Sequence, residues 1–200
     1  MSPVLDKGSR RHRGRPFVVA VAGLLREPGS RRQVEVDAPI EDLAVSGSHV
    51  PDGALVHVSA LLESVHDGIL VSGTVSAKWE GACRRCLDEA RGELCVPVRE
   101  LCVEGGDVET TYALLGDELD LEPIAHDACI LELPLAPLCN EGCLGLCPEC
   151  GVNRNLEQCS CDPAPDPRWG PLALLGGGAP QARVASSAAG PEPVPGETTE

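Results

Sequence analysis

Apolar and polar residues alternate over much of the first half of the chain, which is the pattern of half-buried β-strands. Two of the alternating runs flank Asp67-Gly68, a dipeptide typical of tight hairpin turns. The apolar positions before the turn are Val56, Val58, Ala60 and Leu62, and those after it are Ile69, Val71, Val75, Ala77 and Trp79. We therefore predict an antiparallel hairpin in which each strand has one apolar face.

Strands are also predicted on either side of this hairpin. The alternation from Val34 to Ile40 predicts one before it. The segment 93–103 predicts one after it, because Leu94, Val96 and Val98 share a face there. Cys83 and its neighbours would then lie in the connection between two adjacent strands.

A helix is predicted after an acidic loop at 104–119. Asp120 can cap its first turn, Pro123 is tolerated there, and Pro134 ends the element. The apolar positions at helical spacing are Leu121, Ile124, Ala125, Ala128 and Leu131. The chain is thus predicted to be α+β, with an antiparallel β-rich sheet, one main helix and a cysteine-rich, zinc-binding C-terminal lobe.

The apolar run at 17–25 follows basic residues, an order that also occurs in secretory signals. The run has only nine residues, and the small residues Ala20-Val21-Ala22 lie within it rather than after it. We predict that it forms a first strand ending in a turn. No other apolar stretch approaches the length needed to span a bilayer, so we expect a cytoplasmic protein without a membrane segment.

Three regions are predicted along the chain. Residues 1–16 form a disordered basic arm, and 17–161 form the zinc-binding domain. Residues 162–200 are rich in Pro, Gly and Ala, which predicts a mostly disordered tail. Within that tail, 166–175 predicts a short docking turn, because an Asp cap and a Pro at the first helical position precede Trp169 and several leucines.

The composition limits which side chains can fill the core, and the charge limits the class of binding partner. The chain has one Phe, one Tyr and two Trp in 200 residues, so the core must be aliphatic. The formal net charge is −15, and no Lys or Arg occurs between Arg99 and Arg154. Such a surface cannot neutralise phosphates, on which nucleic-acid affinity depends, so a protein that works near RNA would use it to hold a basic protein partner. For the charge taken alone, the simpler explanation that acidic residues keep the protein soluble is preferred.

Eight of the eleven cysteines have the spacing of metal ligands. The CxxC units Cys83–Cys86 and Cys147–Cys150 let a tight turn aim both sulfurs at one ion. The eight then divide into two sets, Cys83, Cys86, Cys139 and Cys143, and Cys147, Cys150, Cys159 and Cys161. Because both sets consist of thiolates alone, we predict two closed, structural zinc sites. A rival pairing would join the two CxxC units at one ion.

Disulfides and iron–sulfur clusters are the alternatives to zinc. The odd cysteine count and the lack of a convincing export signal disfavour disulfides. An iron–sulfur cluster also uses four thiolates, and the spacing does not exclude it. Cys95, Cys102 and Cys129 are each isolated within a strand or helix pattern, so we expect them not to be ligands.

No catalytic constellation is recognisable in the sequence. His49, His57 and His66 fall in strand or turn patterns, where a solvated or hydrogen-bonded role is common. His126 and Cys129 lie three residues apart on the predicted helix, but no third orienting group or oxyanion motif accompanies them. We therefore expect no enzymatic activity.

Several short motifs follow one another in a recognisable order. They are Leu62-Glu63-Ser64-Val65, the segment 68–74, Cys83-Arg84-Arg85-Cys86-Leu87, Asp120-Leu121, Leu131-Glu132-Leu133-Pro134, Pro137-Leu138-Cys139, the segment 147–151 and Asp166-Pro167-Arg168. With this order the chain resembles, over about 17–175, the bacterial YceD family of large ribosomal RNA subunit accumulation proteins. Its cysteine-rich set is similar to the Gram-positive or actinobacterial branch.

The resemblance implies a non-enzymatic role in the accumulation or processing of large-subunit ribosomal RNA in the cytoplasm. Together with the charge pattern, it leads us to expect a basic large-subunit ribosomal protein or a pre-ribosomal particle as partner, with RNA contact through the basic arm as a second option. Two alternatives from other classes stay open. One is a zinc–thiolate regulator that responds to oxidation, and the other is a zinc-dependent nucleic-acid-binding module.

Overall fold

The fold is built on a long curled sheet, seen in a computed structural model that describes residues 14–105 and 112–161 together with Arg168 and Gly170. Within these residues the chain forms eight strands and two helices. The strands are β1 (Val18–Ala20), β2 (Arg31–Ala38), β3 (Ser48–His49), β4 (Val56–Val65), β5 (Gly68–Ala82), β6 (Glu89–Glu104), β7 (Tyr112–Leu115) and β8 (Glu118–Asp120). The helices are α1 (Ala22–Arg26) and α2 (Glu122–Glu132).

The predicted hairpin is confirmed as β4 and β5. Its register pairs Val58 with Val75 and Leu62 with Val71. All four side chains are buried, because residues opposite each other in a sheet point to the same face. The sequence alternation therefore marks the face of this hairpin that packs into the core.

The strand order along the sheet is β1-β8-β7-β6-β5-β4-β2, with β3 paired to β5 outside this path. The pairing of β6 with β7 is parallel and the other strand pairs are antiparallel. The two ends of the path approach each other, since Arg32 on β2 donates from Nη1 to the carbonyl oxygen of Ala20 on β1 at 2.8 Å. The sheet thus curls around its own apolar face.

Helix α2 covers part of that face by packing against β5 and β6. Its buried residues are Ile124, Ala125, Ala128 and Cys129. The predicted cap at Asp120 is one residue early, since Leu121 occupies the N-cap position without a side-chain cap hydrogen bond, although Asp120 Oδ1 accepts a hydrogen bond from the Glu122 N–H at 3.0 Å. The helix ends at Glu132, before Pro134, as predicted. Phe17, at 1% exposure, is the one phenylalanine of an otherwise aliphatic core.

Two predicted elements were wrong. The apolar run at 17–25 is not a single strand, since β1 ends at Ala20 and α1 begins at Ala22. The Val21 N–H donates to the Asp117 carbonyl oxygen at 2.7 Å, directly after the last β1–β8 pair, and the chain then turns into α1. The acidic segment 104–119 is not only a loop, because it contains β7 and the start of β8.

The described residues up to Cys159 belong to one compact unit, and those from Ser160 on belong to a second. Most of the predicted arm at 1–16, and the predicted tail and docking turn apart from Arg168 and Gly170, lie outside the described residues. The three predicted regions therefore stay predictions. Among the residues that the structure describes, no helix is long and apolar enough to cross a bilayer.

Candidate metal centres

The first group of four cysteines, called the inner group below, brings two distant parts of the chain together. Cys83 and Cys86 lie in the connection between β5 and β6, and Cys139 and Cys143 lie in the segment that follows α2. Their four sulfurs all lie within 4.8 Å of one another. Cys139 is half-buried and the other three are buried.

The sulfur–sulfur distances of the inner group fit a single tetrahedral ion. Cys83 Sγ lies 3.8 Å from Cys143 Sγ, and Cys86 Sγ lies 3.6 Å from Cys139 Sγ. A tetrahedron with Zn–S bonds of about 2.3 Å has edges of about 3.8 Å, whereas a disulfide bond measures about 2.05 Å. An iron–sulfur cluster spreads its thiolates farther apart, because they bind different metal atoms. The distances therefore favour one ion over a disulfide or a cluster.

The second group, called the outer group below, comes from one short stretch of the chain. It consists of Cys147, Cys150, Cys159 and Cys161, whose sulfurs also lie within 4.8 Å of one another. Cys147 is buried and Cys150 is exposed. The structure thus assembles the two sets that the spacing predicts rather than the rival pairing of the two CxxC units. That these cysteines bind metal stays a prediction.

The two CxxC units form turns of the same type. In the first, the Leu87 N–H donates to the Cys83 carbonyl oxygen, and in the second the Gly151 N–H donates to that of Cys147, both at 2.9 Å. The residue after the second cysteine has φ +64° at Leu87 and +74° at Gly151. Glycine adopts this left-handed conformation freely, whereas other residues lose about 1–2 kcal/mol. The first turn is therefore made with a strained leucine that is 67% exposed.

Asn155 connects the chain of the outer group to the inner group. Its Nδ2 lies 3.3 Å from Cys143 Sγ, and its Oδ1 accepts a 2.7 Å hydrogen bond from the Leu144 N–H. Burial alone would raise the pKa of Cys143, but the bond from Asn155 leads the contacts that lower it. Asn153 donates from Nδ2 to Asp88 Oδ2 at 2.7 Å, next to the first CxxC unit. The spacing of the cysteines gave no sign of either asparagine.

Arg85 is a second contributor that the sequence did not reveal. Its Nη1 donates to the carbonyl oxygens of Glu141 at 3.2 Å and Cys143 at 3.0 Å. Its own carbonyl oxygen accepts a 2.9 Å hydrogen bond from the Leu146 N–H. A Cβ at Gly145 would lie 2.9 Å from that oxygen, so the close approach of the two loops requires glycine there. These contacts hold the two CxxC-containing loops side by side.

The pKa shifts differ among the cysteines of the inner group: the pKa values of Cys83 and Cys143 are lowered, whereas burial raises those of Cys86 and Cys139. A lowered pKa favours the thiolate that metal binding requires. Burial alone would raise the pKa of Cys83, but backbone N–H groups, first that of Cys139, donate to its sulfur and lower the pKa to about 6. At Cys147, the backbone N–H of Cys150 is the strongest of several donors that lower the pKa to about 6. Both groups thus suit a cation.

The other predicted positions have ordinary surroundings. Cys102 and Cys129 are buried in the apolar core, where burial raises the pKa of Cys102 to about 12 and that of Cys129 to about 11. Cys95 is exposed on β6. His126 Nδ1 lies 3.2 Å from Asp127 Oδ1, and His57 pairs with Asp37 in the same way. In the part of the chain that the structure describes, these three cysteines belong to neither group.

Both groups have the chemistry of closed, all-thiolate sites. Each group could supply four sulfur ligands, which would complete the coordination of a tetrahedral ion and leave no position for a substrate. The inner group would fasten the β5–β6 connection to the segment after α2, and the outer group would close a local loop.

The comparisons with known proteins converge on one family. A family profile described as Large ribosomal RNA subunit accumulation protein YceD matches residues 71–176, which contain both cysteine groups. The chain is 35% identical over 176 residues to an uncharacterized protein of Mycobacterium tuberculosis, and 84% of each chain is covered. It is 31% identical over 172 residues to an uncharacterized protein of Mycobacterium leprae, covering 82% of this chain and 79% of that relative.

A plant protein is also similar. It is the chloroplastic large ribosomal RNA subunit accumulation protein YCED homolog 1 of Arabidopsis thaliana, and it is 34% identical over 59 residues, which are 29% of this chain and 18% of the plant protein. No solved structure gives a significant match.

Proposed function

This chain belongs to the YceD family, and from that premise we propose that it supports the accumulation of large-subunit ribosomal RNA in the cytoplasm by binding a component of the large subunit. The observation that carries the proposal is the family match, which spans most of β5, all of β6 and α2, and both cysteine groups. The family description names the accumulation of an RNA rather than a reaction, which supports action by binding and not by catalysis.

Zinc is the metal proposed for both cysteine groups. Four thiolates within 4.8 Å suit a single tetrahedral ion, and thiolate ligands select soft or borderline metals. When bound, zinc would supply cross-links rather than chemistry on a substrate. Such cross-links matter here because the chain has only four aromatic residues to fill its core. The residues proposed as ligands are Cys83, Cys86, Cys139, Cys143, Cys147, Cys150, Cys159 and Cys161.

The partner that the charge pattern supports is a basic large-subunit protein or a precursor particle that displays one. From residue 100 to 153 the sequence has no Lys or Arg, and Asp117 and Glu122 are exposed around the start of α2. Complementary charge of this kind raises association rates and selects the partner. The basic arm at 1–16 offers a separate route for contact with RNA.

A second candidate, a response to oxidation, is favoured by the exposure of Cys150 in the outer group. Exposed thiolates are oxidised more readily than buried ones. This candidate predicts that mild peroxide releases metal from the outer group before the inner group, with a change in partner binding. This candidate would be ruled out if both groups lost metal together, or if partner binding did not change after the metal was lost.

The proposed function is tested by deleting the gene in the organism that carries it. We expect the ratio of large-subunit to small-subunit ribosomal RNA to fall, and to recover with the wild-type chain. A chain with Cys83→Ser should restore less, in proportion to its lower level of folded protein. An unchanged ratio of the two RNAs in the deletion strain would contradict the proposal.

A further inference from the structure

A shallow groove lies between α2 and the far end of β6. Its volume is about 160 Å³. Half-buried Val96 and Val98 line it from β6, and buried Ile124 and Ala128 line it from α2. Small-molecule pockets usually have about 300–1,000 Å³, so this groove suits a single inserted side chain better than a cofactor.

The apolar stripe of α2 continues past the part that the sheet covers. Ile124, Ala128 and Leu131 are spaced by four and three residues, so they lie on one face of the helix. The first two are buried, whereas Leu131 is 85% exposed and borders the groove. An isolated exposed leucine is common on protein surfaces. Here the leucine and the groove together form one continuous apolar surface.

The rim of the groove is acidic. Glu100, Asp127 and Glu132 line it and are exposed, and none of its ten lining residues is Lys or Arg. The Tyr112 hydroxyl, also in the lining, donates to Asp127 Oδ2 at 3.0 Å. Burial, the bond to Asp127 and the charges of Asp127 and Glu100 raise the pKa of Tyr112 to about 12. The groove therefore has an apolar floor within a negative field.

We propose that this groove is the docking site for a basic polypeptide segment, which inserts an apolar side chain beside Leu131 and places Lys or Arg against Glu100, Asp127 and Glu132. The inference rests on the proposed function, because it gives the basic large-subunit partner a place to bind. In protein interfaces a few side chains buried in a pocket carry most of the binding energy, and the contacts around them mainly exclude water.

Charge complementarity selects this occupant over two others. A second copy of the chain would bring a net charge of −15 to an acidic rim, which opposes self-association through any part of it other than the basic arm at 1–16. RNA would bring phosphates to three carboxylates with no cation in the lining to receive them. A Lys- or Arg-containing segment matches both the floor and the rim.

The test uses the full, zinc-loaded chain and, as the probe, the basic proteins extracted from purified large ribosomal subunits. Leu131→Ser removes the apolar anchor without changing charge, and it should weaken retention of the bound protein about tenfold or more. Glu100→Gln with Glu132→Gln should weaken retention and flatten its dependence on salt. The matched controls are Leu55→Ser, at 58% exposure outside the groove lining, and Glu35→Gln on β2. Both should bind as the wild type does.

A second readout locates the contact. Tyr112 is the one tyrosine of the chain, so an isotope-labelled ring gives a single NMR signal. That signal should shift when the retained protein is added to the wild type. The shift should require much higher partner concentrations with Leu131→Ser.

The outcomes separate this inference from the proposed function. Wild-type retention by Leu131→Ser, combined with loss on charge reversal at Asp117 and Glu122, overturns the groove and leaves the proposed function standing. No retention by the wild type overturns the inference, while the ratio of the two RNAs in the deletion strain decides the proposed function separately. Self-association of the chain that Leu131→Ser removes, or binding of extracted ribosomal RNA in place of the proteins, would assign the groove to another occupant and overturn the inference.

Discussion

Asn155 Nδ2 lies 3.3 Å from Cys143 Sγ, so a residue from the chain between two outer-group cysteines donates a hydrogen bond to a sulfur of the inner group. The Oδ1 of the same side chain accepts a hydrogen bond from the Leu144 N–H, and its Nδ2 donates one to Asn153 Oδ1. A hydrogen-bond network therefore links the loop between Cys150 and Cys159 to a sulfur of the inner group. A substitution in this loop should therefore change the metal affinity of the inner group.

Replacing Asn155 tests this coupling. Asn155→Ala removes the donor to Cys143, and loss of such an outer contact typically weakens metal affinity about 10–100-fold. We expect that loss at the inner group, measured by competition with a zinc chelator. Gln158→Ala, an exposed residue of the same loop, is the matched control and should leave the affinity unchanged. Equal effects of the two variants would contradict a specific role for Asn155.

Metal content is the most direct prediction. The purified chain should contain two zinc ions, one for each set of four cysteines within 4.8 Å. Elemental analysis of the wild type checks the count, and Cys83→Ser and Cys159→Ser should each remove one ion. Cys95→Ser is the control, because Cys95 is exposed and outside both groups. Iron in place of zinc, or no loss in either ligand variant, would contradict the assignment.

The inner group should contribute more to stability than the outer group. It fastens the β5–β6 connection to the segment after α2, whereas the outer group closes a local loop. Cys83→Ser should therefore lower the Tm by roughly 10 °C or more, and Cys159→Ser by less than half of that. Differential scanning calorimetry of both variants measures the difference. Equal losses of Tm would reverse this ranking.

Tyr112 gives a prediction about pH. Because its pKa is raised to about 12 from an ordinary value of 10.0, the folded chain favours the neutral hydroxyl. The stability that this contributes is present below pH 10 and is lost as the pH rises towards 12. Phenolate absorbance should titrate well above pH 10 in the folded chain and near 10 after denaturation. Asp127→Asn should lower the folded midpoint, and Glu35→Gln should not.

Binding of the basic partner should weaken as salt rises. Exposed charges are screened over roughly 8 Å at physiological ionic strength. Reversing charge at Asp117, Glu118 and Glu122 should weaken binding further, as measured by surface plasmon resonance over a salt series. Deleting residues 1–13 separates the two modes of contact, and it keeps Arg15, which pairs with Asp120 at 2.8 Å. If that deletion abolishes binding while the reversals do nothing, the arm is the contact and the acidic face is not.

Much of the architecture could be predicted from short-range patterns. The Asp67-Gly68 turn and the alternation on both sides defined the hairpin, because strand periodicity and turn chemistry are local properties. The cysteine spacing likewise gave the two groups, since each CxxC unit must point its sulfurs at one ion. The helix could be predicted from Asp120, Pro123 and Pro134, because residues that start and stop helices also act locally.

Elements that depend on distant partners were missed. Strand β7 is four residues long and pairs in parallel with β6, so too few residues alternate to indicate it. The run at 17–25 pairs with β8, nearly a hundred residues later in the chain, only as far as Val21, and then turns into α1. Leu131 has the spacing of a core residue, yet it is 85% exposed, at the border of the groove between α2 and β6. Asn155 acts only through a sulfur that the fold brings near.

The spacing of the inner cysteines also sets an order of events during synthesis. Cys86 and Cys139 are 53 positions apart, so their meeting closes a long loop and awaits the docking of α2. A nascent chain that has reached Cys86 contains only two of the four inner cysteines. The inner group is complete only after Cys143 has been made. The outer cysteines lie close enough in sequence to capture an ion locally. A bound metal would thus reach the β5–β6 connection only once the segment after α2 has been made, and the outer group once its own short stretch is complete.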